Sequence, residues 1–227
     1  MKKETNRGLR HASFQVWDLP TRLFHWLLLL LVTISFVTVE IGGNAMQYHE
    51  RSGFAILALL LFRLAWGVLG SQPSRFKTFL KGPAAVLGYA ATTLRREPEC
   101  HPTHNPLGGW SVAALLAALL VQAGTGLFAN DDIVTEGPLY SWVSKGTSDW
   151  ITEVHEFNAG ILVALVALHV AAVLFHLIYK RDNLLVPMFT GYKQCDAVDG
   201  PTAMRPLWLA AVIAALAAAA VYFLVRR

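Results

Sequence analysis

The sequence predicts an all-α integral membrane protein with five membrane-spanning helices. Three observations carry this. Of the 227 residues, 55% are hydrophobic, more than a soluble core of this length normally uses. The apolar residues gather in five runs: Leu23 to Val39, Phe54 to Gly70, Trp110 to Ala129, Ile161 to Tyr179 and Leu207 to Val225. A spanning helix needs about 20 residues to cross about 30 Å of hydrocarbon, and the two shorter runs can extend into their flanks. The charges between the runs alternate, with basic loops on one side and acidic loops on the other.

The elements follow in order. Residues 1–22 form a polar tail with Lys2, Lys3, Arg7, Arg10 and Arg22, which the positive-inside rule places in the cytoplasm. The first run follows this tail and lacks a small-residue cleavage site, so it is expected to remain as an anchor rather than leave as a signal peptide. Asp18, Pro20 and Thr21 give it a helix-start signal. The segment from Ser71 to Pro106 returns to the basic side with Arg75, Lys77, Lys81, Arg95 and Arg96. Interleaved with Phe76, Phe79, Leu80, Val86, Leu87 and Tyr89, it is expected to include an interfacial amphipathic helix. The loops after the first and third runs hold only Arg51 and Lys145 against Glu40, Glu50, Asp131, Asp132, Glu136, Asp149 and Glu153. They are expected to face the periplasm, with residues 130–154 a long loop whose Trp142 and Trp150 suit the headgroup level. The fifth run carries Arg226 and Arg227 to the acidic side, within the tolerance of the rule for C-terminal charge. The expected units are therefore the tail at 1–22, a transmembrane domain at 23–193, and a loop with an added helix at 194–227.

The formal net charge of +4 reports this topology, because the excess of Lys and Arg lies on the side facing anionic headgroups. It gives no ground for nucleic-acid binding. Cys100 and Cys195 fall in loops assigned to the cytoplasm and belong to no CxxC or CxxCH, which excludes covalent c-type haem.

The chemistry is concentrated in histidines. His155 and His169 lie 14 residues apart on one apolar stretch, a helical rise of about 21 Å over about 3.9 turns, so both imidazoles leave nearly the same face at different depths. Spans one and two carry His25 near the inner side and His49 near the outer side. The direction of the spans and this 14-residue interval pair His49 with His155 and His25 with His169. Each pair can clamp one haem between two helices, and two neutral imidazoles saturate the iron and favour electron transfer. Any one of these histidines alone reads more simply as a hydrogen-bonded core residue. His176 lies seven residues beyond His169 on almost the same face. It matches the depth of His25 slightly better, but the 14-residue interval favours His169 and leaves His176 for a propionate or a quinone-proximal contact.

Arg63 lies inside the second span, where an unpaired guanidinium costs at least about 2.5 kcal/mol. Either a haem propionate satisfies it, or it snorkels to the inner headgroups. Arg22, near His25, faces the same choice, with snorkelling the better reading. Gly53, Gly67, Gly108, Gly109, Gly124, Gly126 and Gly160 would let helices or a flat macrocycle approach closely. Cys100, His101 and His104 make a loose CHxxH that lacks a fourth zinc ligand. His11 reads as an exposed residue, and Gln122 and Thr125 as cross-helix hydrogen bonders.

The stretches VWDLPTRLFHW, YHERSGFAILALLLFRLAWGVLGSQPSRF, HNPLGGW, GLFANDDI, VHEFNAGILVALVALHVAAVLFH and RDNLLVPMFTGYK together resemble the bacterial cytochrome b561 family, itself similar to the b-type cytochrome subunit of nickel-iron hydrogenases. The resemblance runs from about Val16 to Lys193 and leaves out the last span. It implies a four-helix bundle with two haems b, quinone on one side and a redox partner on the other. By motif, it assigns ligand roles to His25 in LFHW, His49 in YHE, and His155 and His169 in the fourth span, and it matches the family's arginine to Arg63.

The expected function is that of a di-haem b electron carrier in the bacterial inner membrane, linking the quinone pool to a periplasmic c-type cytochrome or other redox subunit. Alternatives are a superoxide:quinone oxidoreductase and the haem b anchor of a periplasmic hydrogenase or dehydrogenase. A haem-free anchor or transporter is a third reading, against which the chain shows no paired broken spans.

Overall fold

The computed structural model describes residues 12–96, 101, 103–133, 135–195 and 203–226. His11, Cys100 and Arg227 fall outside the described residues, as do the four basic residues at the head of the tail. Five helices are long and apolar enough to cross a membrane.

Helix α1 (Leu19–Ile41) starts where Asp18 Oδ1 accepts from the Thr21 amide at 2.9 Å, with Pro20 in its first turn. It ends at Gly42, whose φ of 65° breaks the helix. Helix α2 (Met46–Leu69) begins eight residues before the apolar run, because the polar turn holding His49 and Glu50 is itself helical. Past α2, the chain forms the single turn α3 (Phe76–Phe79) and the ten-residue α4 (Pro83–Thr92). In α4, Tyr89 is buried and Leu87 is exposed, as an interfacial helix requires. Helix α5 (Pro106–Gly126) is capped by Asn105, whose Oδ1 accepts from the Gly108 amide at 2.6 Å.

Helix α6 (Lys145–Ile178) has 34 residues, about 51 Å at helical rise. It therefore overreaches the hydrocarbon layer and corrects the expected loop at 130–154. Ser144 caps it, and Lys145 pairs with Asp149 at 3.0 Å one turn on, so its first turns are helical without being apolar. Trp150 belongs to this helix, not to a loop. After α6 come α7 (Leu185–Thr190) and, beyond residues 196–202, α8 (Leu207–Val225). The bounds of α8 match the expected fifth span.

One element has no counterpart in the sequence reading. Strand β1 (Ala12–Gln15) pairs antiparallel with β2 (Tyr192–Cys195), in the register Ala12 to Cys195 and Gln15 to Tyr192. The Val16 and Trp17 amides extend the tether by donating to the Gly191 carbonyl at 2.9 and 3.2 Å. This ribbon fastens the entry to α1 against the segment that follows α6.

Packing centres on α2, which contacts α1, α5 and α8, while α6 packs on α5. Phe24, Leu60, Trp66, Leu116, Leu119 and Leu162 form the main core, joined by Ala210, Ile213 and Ala217 of α8. Helix α6 makes no extensive contact with α1 or α2. The bundle is thus open along the side where α6 faces those helices. A buried polar staple holds one end: Asp18 Oδ2 accepts from Trp66 Nε1 at 2.9 Å and Ser74 Oγ at 3.3 Å, and Thr21 meets Ser74 at 2.7 Å. This end, with the ribbon, is termed proximal; the end with the α5–α6 connection is termed distal.

Candidate functional site

Two imidazole pairs bridge the open side of the bundle. At the distal end, His49 on the first turn of α2 faces His155 on α6, with ring centres 6.2 Å apart and planes at 77°. Towards the proximal end, His25 on α1 faces His169 on α6 at 6.5 Å and 49°. The structure therefore brings together the residues that span direction and the 14-residue interval paired. His176 stands apart from both pairs. Asn105 Nδ2 donates to its Nε2 at 3.3 Å, while Asn105 Oδ1 serves the α5 cap.

The distal rings are held from behind. His49 Nδ1 lies 2.9 Å from the Ser35 carbonyl; a carbonyl only accepts, so Nδ1 carries the proton and Nε2 keeps its lone pair. Ser35 and Ser52 hydroxyls meet at 2.6 Å beside it. On the opposite side, Thr125 Oγ1 donates to the Val121 carbonyl at 2.7 Å and lies 3.0 Å from His155 Nδ1. With its own proton used, the hydroxyl accepts from His155. Gln122 accepts from Asn158 Nδ2 at 2.7 Å, so both polar residues of span three do bond across helices.

A cavity of about 340 Å³ opens between the distal rings, lined by His49, Gly53, Phe54, Gly126, His155 and Leu162 among others. The glycines sort by what a Cβ would meet. At Gly67 it would lie 2.1 Å from the Phe76 ring, and at Gly109 2.6 Å from the Phe79 carbonyl, so these two serve chain packing. At Gly126 it would press on the His155 ring at 3.1 Å. At Gly53, Gly124 and Gly160 it would meet nothing within 4 Å.

Arg63 is 3% exposed, which corrects the snorkelling reading. Phe76 and Phe79 fold back beneath α2, and the guanidinium stacks over their rings at 5.0 and 5.8 Å. One terminal nitrogen, NH1, is buried with no hydrogen-bond partner. Arg22 donates to the Phe189 carbonyl and so anchors α7. Trp26 Nε1 reinforces this anchor by donating to the Met188 carbonyl at 3.1 Å.

His104, legible in the sequence only as part of the loose CHxxH, is a buried packing residue. It sits between the Trp17 and Phe79 rings at 4.8 and 4.9 Å. Burial pushes its imidazole down to about 3, helped by the Arg63 charge, so it is neutral here. Its place directly before the Asn105 cap was the available signal. His101 packs instead on Tyr89 at 5.5 Å, and among the described residues no group of three or more His, Cys, Asp or Glu could hold a metal ion.

The residues fit haem. A metal bound to an imidazole nitrogen at about 2 Å on each side, with about 1.1 Å from nitrogen to ring centre, separates the ring centres by about 6.2 Å. Both observed pairs stand close to this separation. The space beside Gly53, the opening between α6 and its partners, and the buried unpartnered Arg63 NH1 are what a flat dianionic macrocycle would fill and satisfy.

The model of the prokaryotic cytochrome b561 family matches residues 16–191. The chain belongs to this family. As a cytochrome b561 it is a multi-pass membrane b-type cytochrome that binds haem b and serves electron transfer. Its curated relatives are more distant. A probable Ni/Fe-hydrogenase B-type cytochrome subunit of Bradyrhizobium diazoefficiens is 24% identical, covering 83% of this chain and 89% of the relative. A probable Ni/Fe-hydrogenase 1 B-type cytochrome subunit of Escherichia coli K12 is 22% identical, covering 80% and 91%. A probable Ni/Fe-hydrogenase B-type cytochrome subunit of Rhodobacter capsulatus is also 22% identical, covering 81% and 82%. No solved structure matches this cytochrome b561.

Proposed function

We propose that this cytochrome holds two haems b, one between His49 and His155 and one between His25 and His169. In this role it carries electrons between the quinone pool and a redox partner at the distal face. The observation that carries the reading is the pair of imidazole couples at 6.2 and 6.5 Å, set at two depths along α6. When bound, haem b supplies a one-electron iron couple, while the bundle sets spacing, axial ligation and dielectric. Arg63 would serve a propionate of the proximal haem. It lies 14 residues from His49 on α2, about 21 Å along the helix, which is the interval that separates His155 from His169.

The names of the relatives support a hydrogenase as the partner, alongside the c-type cytochrome and other dehydrogenases expected from the chain. The superoxide reading is weaker, because Glu50, Asp131 and Glu156 line the distal cavity and repel a small anion. The test is haem content per chain. His169→Ala is expected to fall from two haems to one while keeping the distal haem, and His155→Ala to keep the proximal one. Retention of two haems in both variants would overturn the pairing.

A further inference from the structure

The two histidine pairs differ in what stands behind their rings. Both distal rings have an acceptor on Nδ1: the Ser35 carbonyl at 2.9 Å for His49 and the Thr125 hydroxyl at 3.0 Å for His155. Neither acceptor is free to turn away. One is main chain in α1, and the other is fixed by donation to the Val121 carbonyl at 2.7 Å. The proximal pair has no such support. His25 Nδ1 is buried without a hydrogen-bond partner, and no hydrogen bond is made by the His169 ring among the described residues.

An acceptor on the far nitrogen of a metal-bound imidazole increases its basicity and its donation to the metal. A more basic ligand set favours the higher oxidation state, so it lowers the reduction potential of the centre. We propose that Thr125, together with the Ser35 carbonyl, is a positioning group that makes the distal His49–His155 pair the lower-potential of two haem sites.

The inference rests on the two-haem reading above and is tested separately from it by potentiometric titration of the full-length protein in nanodiscs. The wild type is expected to titrate in two one-electron steps. Thr125→Val keeps the shape but removes the hydroxyl and leaves His155 only the Gln122 carbonyl, and it is expected to move the lower step upward and leave the upper step in place. Thr125→Ser, which keeps the hydroxyl, is expected to restore the wild-type curve. Thr125→Ala vacates the position without added bulk and reads the same step should the valine variant load poorly. Two haems per chain with both steps unmoved in the valine and alanine variants, or with only the upper step moved, would overturn the role of Thr125. A single haem and a single step in the wild type would instead overturn the two-haem reading beneath it.

Discussion

Gly53 and Gly67 lie on the same helix, fourteen residues apart, and do opposite work. At Gly67 an added Cβ would collide with the Phe76 ring at 2.1 Å, and that ring lies beneath the Arg63 guanidinium. Gly67→Ala is therefore expected to destabilise the protein by about 1–3 kcal/mol through overpacking, read as a lowered thermal midpoint in detergent. At Gly53 an added side chain meets no protein atom within 4 Å but enters the distal cavity. Gly53→Leu is expected to leave the thermal midpoint of the haem-free protein in place and to lower haem content from two per chain to one. A Gly53→Leu variant with full haem content would show that the space beside it is not where the macrocycle lies. The sequence displays both glycines as equals, because what each one faces depends on residues far along the chain.

Helices α6 and α8 show how membrane elements can be separable in energy. Helix α8 packs Ala210, Ile213, Ala217 and Val221 against the core, yet it contributes no histidine and no lining to the distal cavity. In a bilayer, lipid tails can replace much of its apolar contact, since hydrocarbon is as apolar as a helix face. A chain ending at residue 195 is thus expected to keep both haems and to lose part of its thermal stability; loss of either haem on truncation would contradict this division. Boundaries were the less legible part of these elements. The core-facing α8 is uniformly apolar and reads directly, whereas the first turns of α6 are polar and are held by Ser144 and the Lys145–Asp149 pair. The β1–β2 ribbon was hidden because four-residue segments carry too little periodicity. By contrast, the histidine pairing was legible because the loop charges give the direction of each span, and the 14-residue interval on α6 sets two depths at helical rise. The burial of Arg63 was not, because it depends on Phe76 and Phe79 folding back from the connection after α2.

At the scale of the whole molecule, charge separates along the bundle axis. The proximal end holds Arg75, Lys77, Lys81, Arg95, Arg96, Lys193 and Arg205, and the distal end holds Glu40, Asp131, Asp132, Glu136, Asp149 and Glu153. Each Lys or Arg near an anionic cytoplasmic leaflet is worth about 1 kcal/mol, so the proximal end is expected to lie inside. Arg51, Lys145 and Arg226 are distal cations among the described residues; Lys145 is paired with Asp132 and Asp149, Arg226 stacks near the Tyr222 ring at 5.4 Å, and these few do not outweigh the proximal set. In a Cys100→Ser, Cys195→Ser background, Asp132→Cys is expected to react in intact cells with a maleimide that cannot cross the membrane, and Lys77→Cys only after lysis. This orientation also places the acidic mouth of the distal cavity, with Glu50, Asp131 and Glu156, towards a periplasmic partner, where it favours a basic docking surface. Labelling of Lys77→Cys from outside would invert the molecule and move that docking face to the cytoplasm.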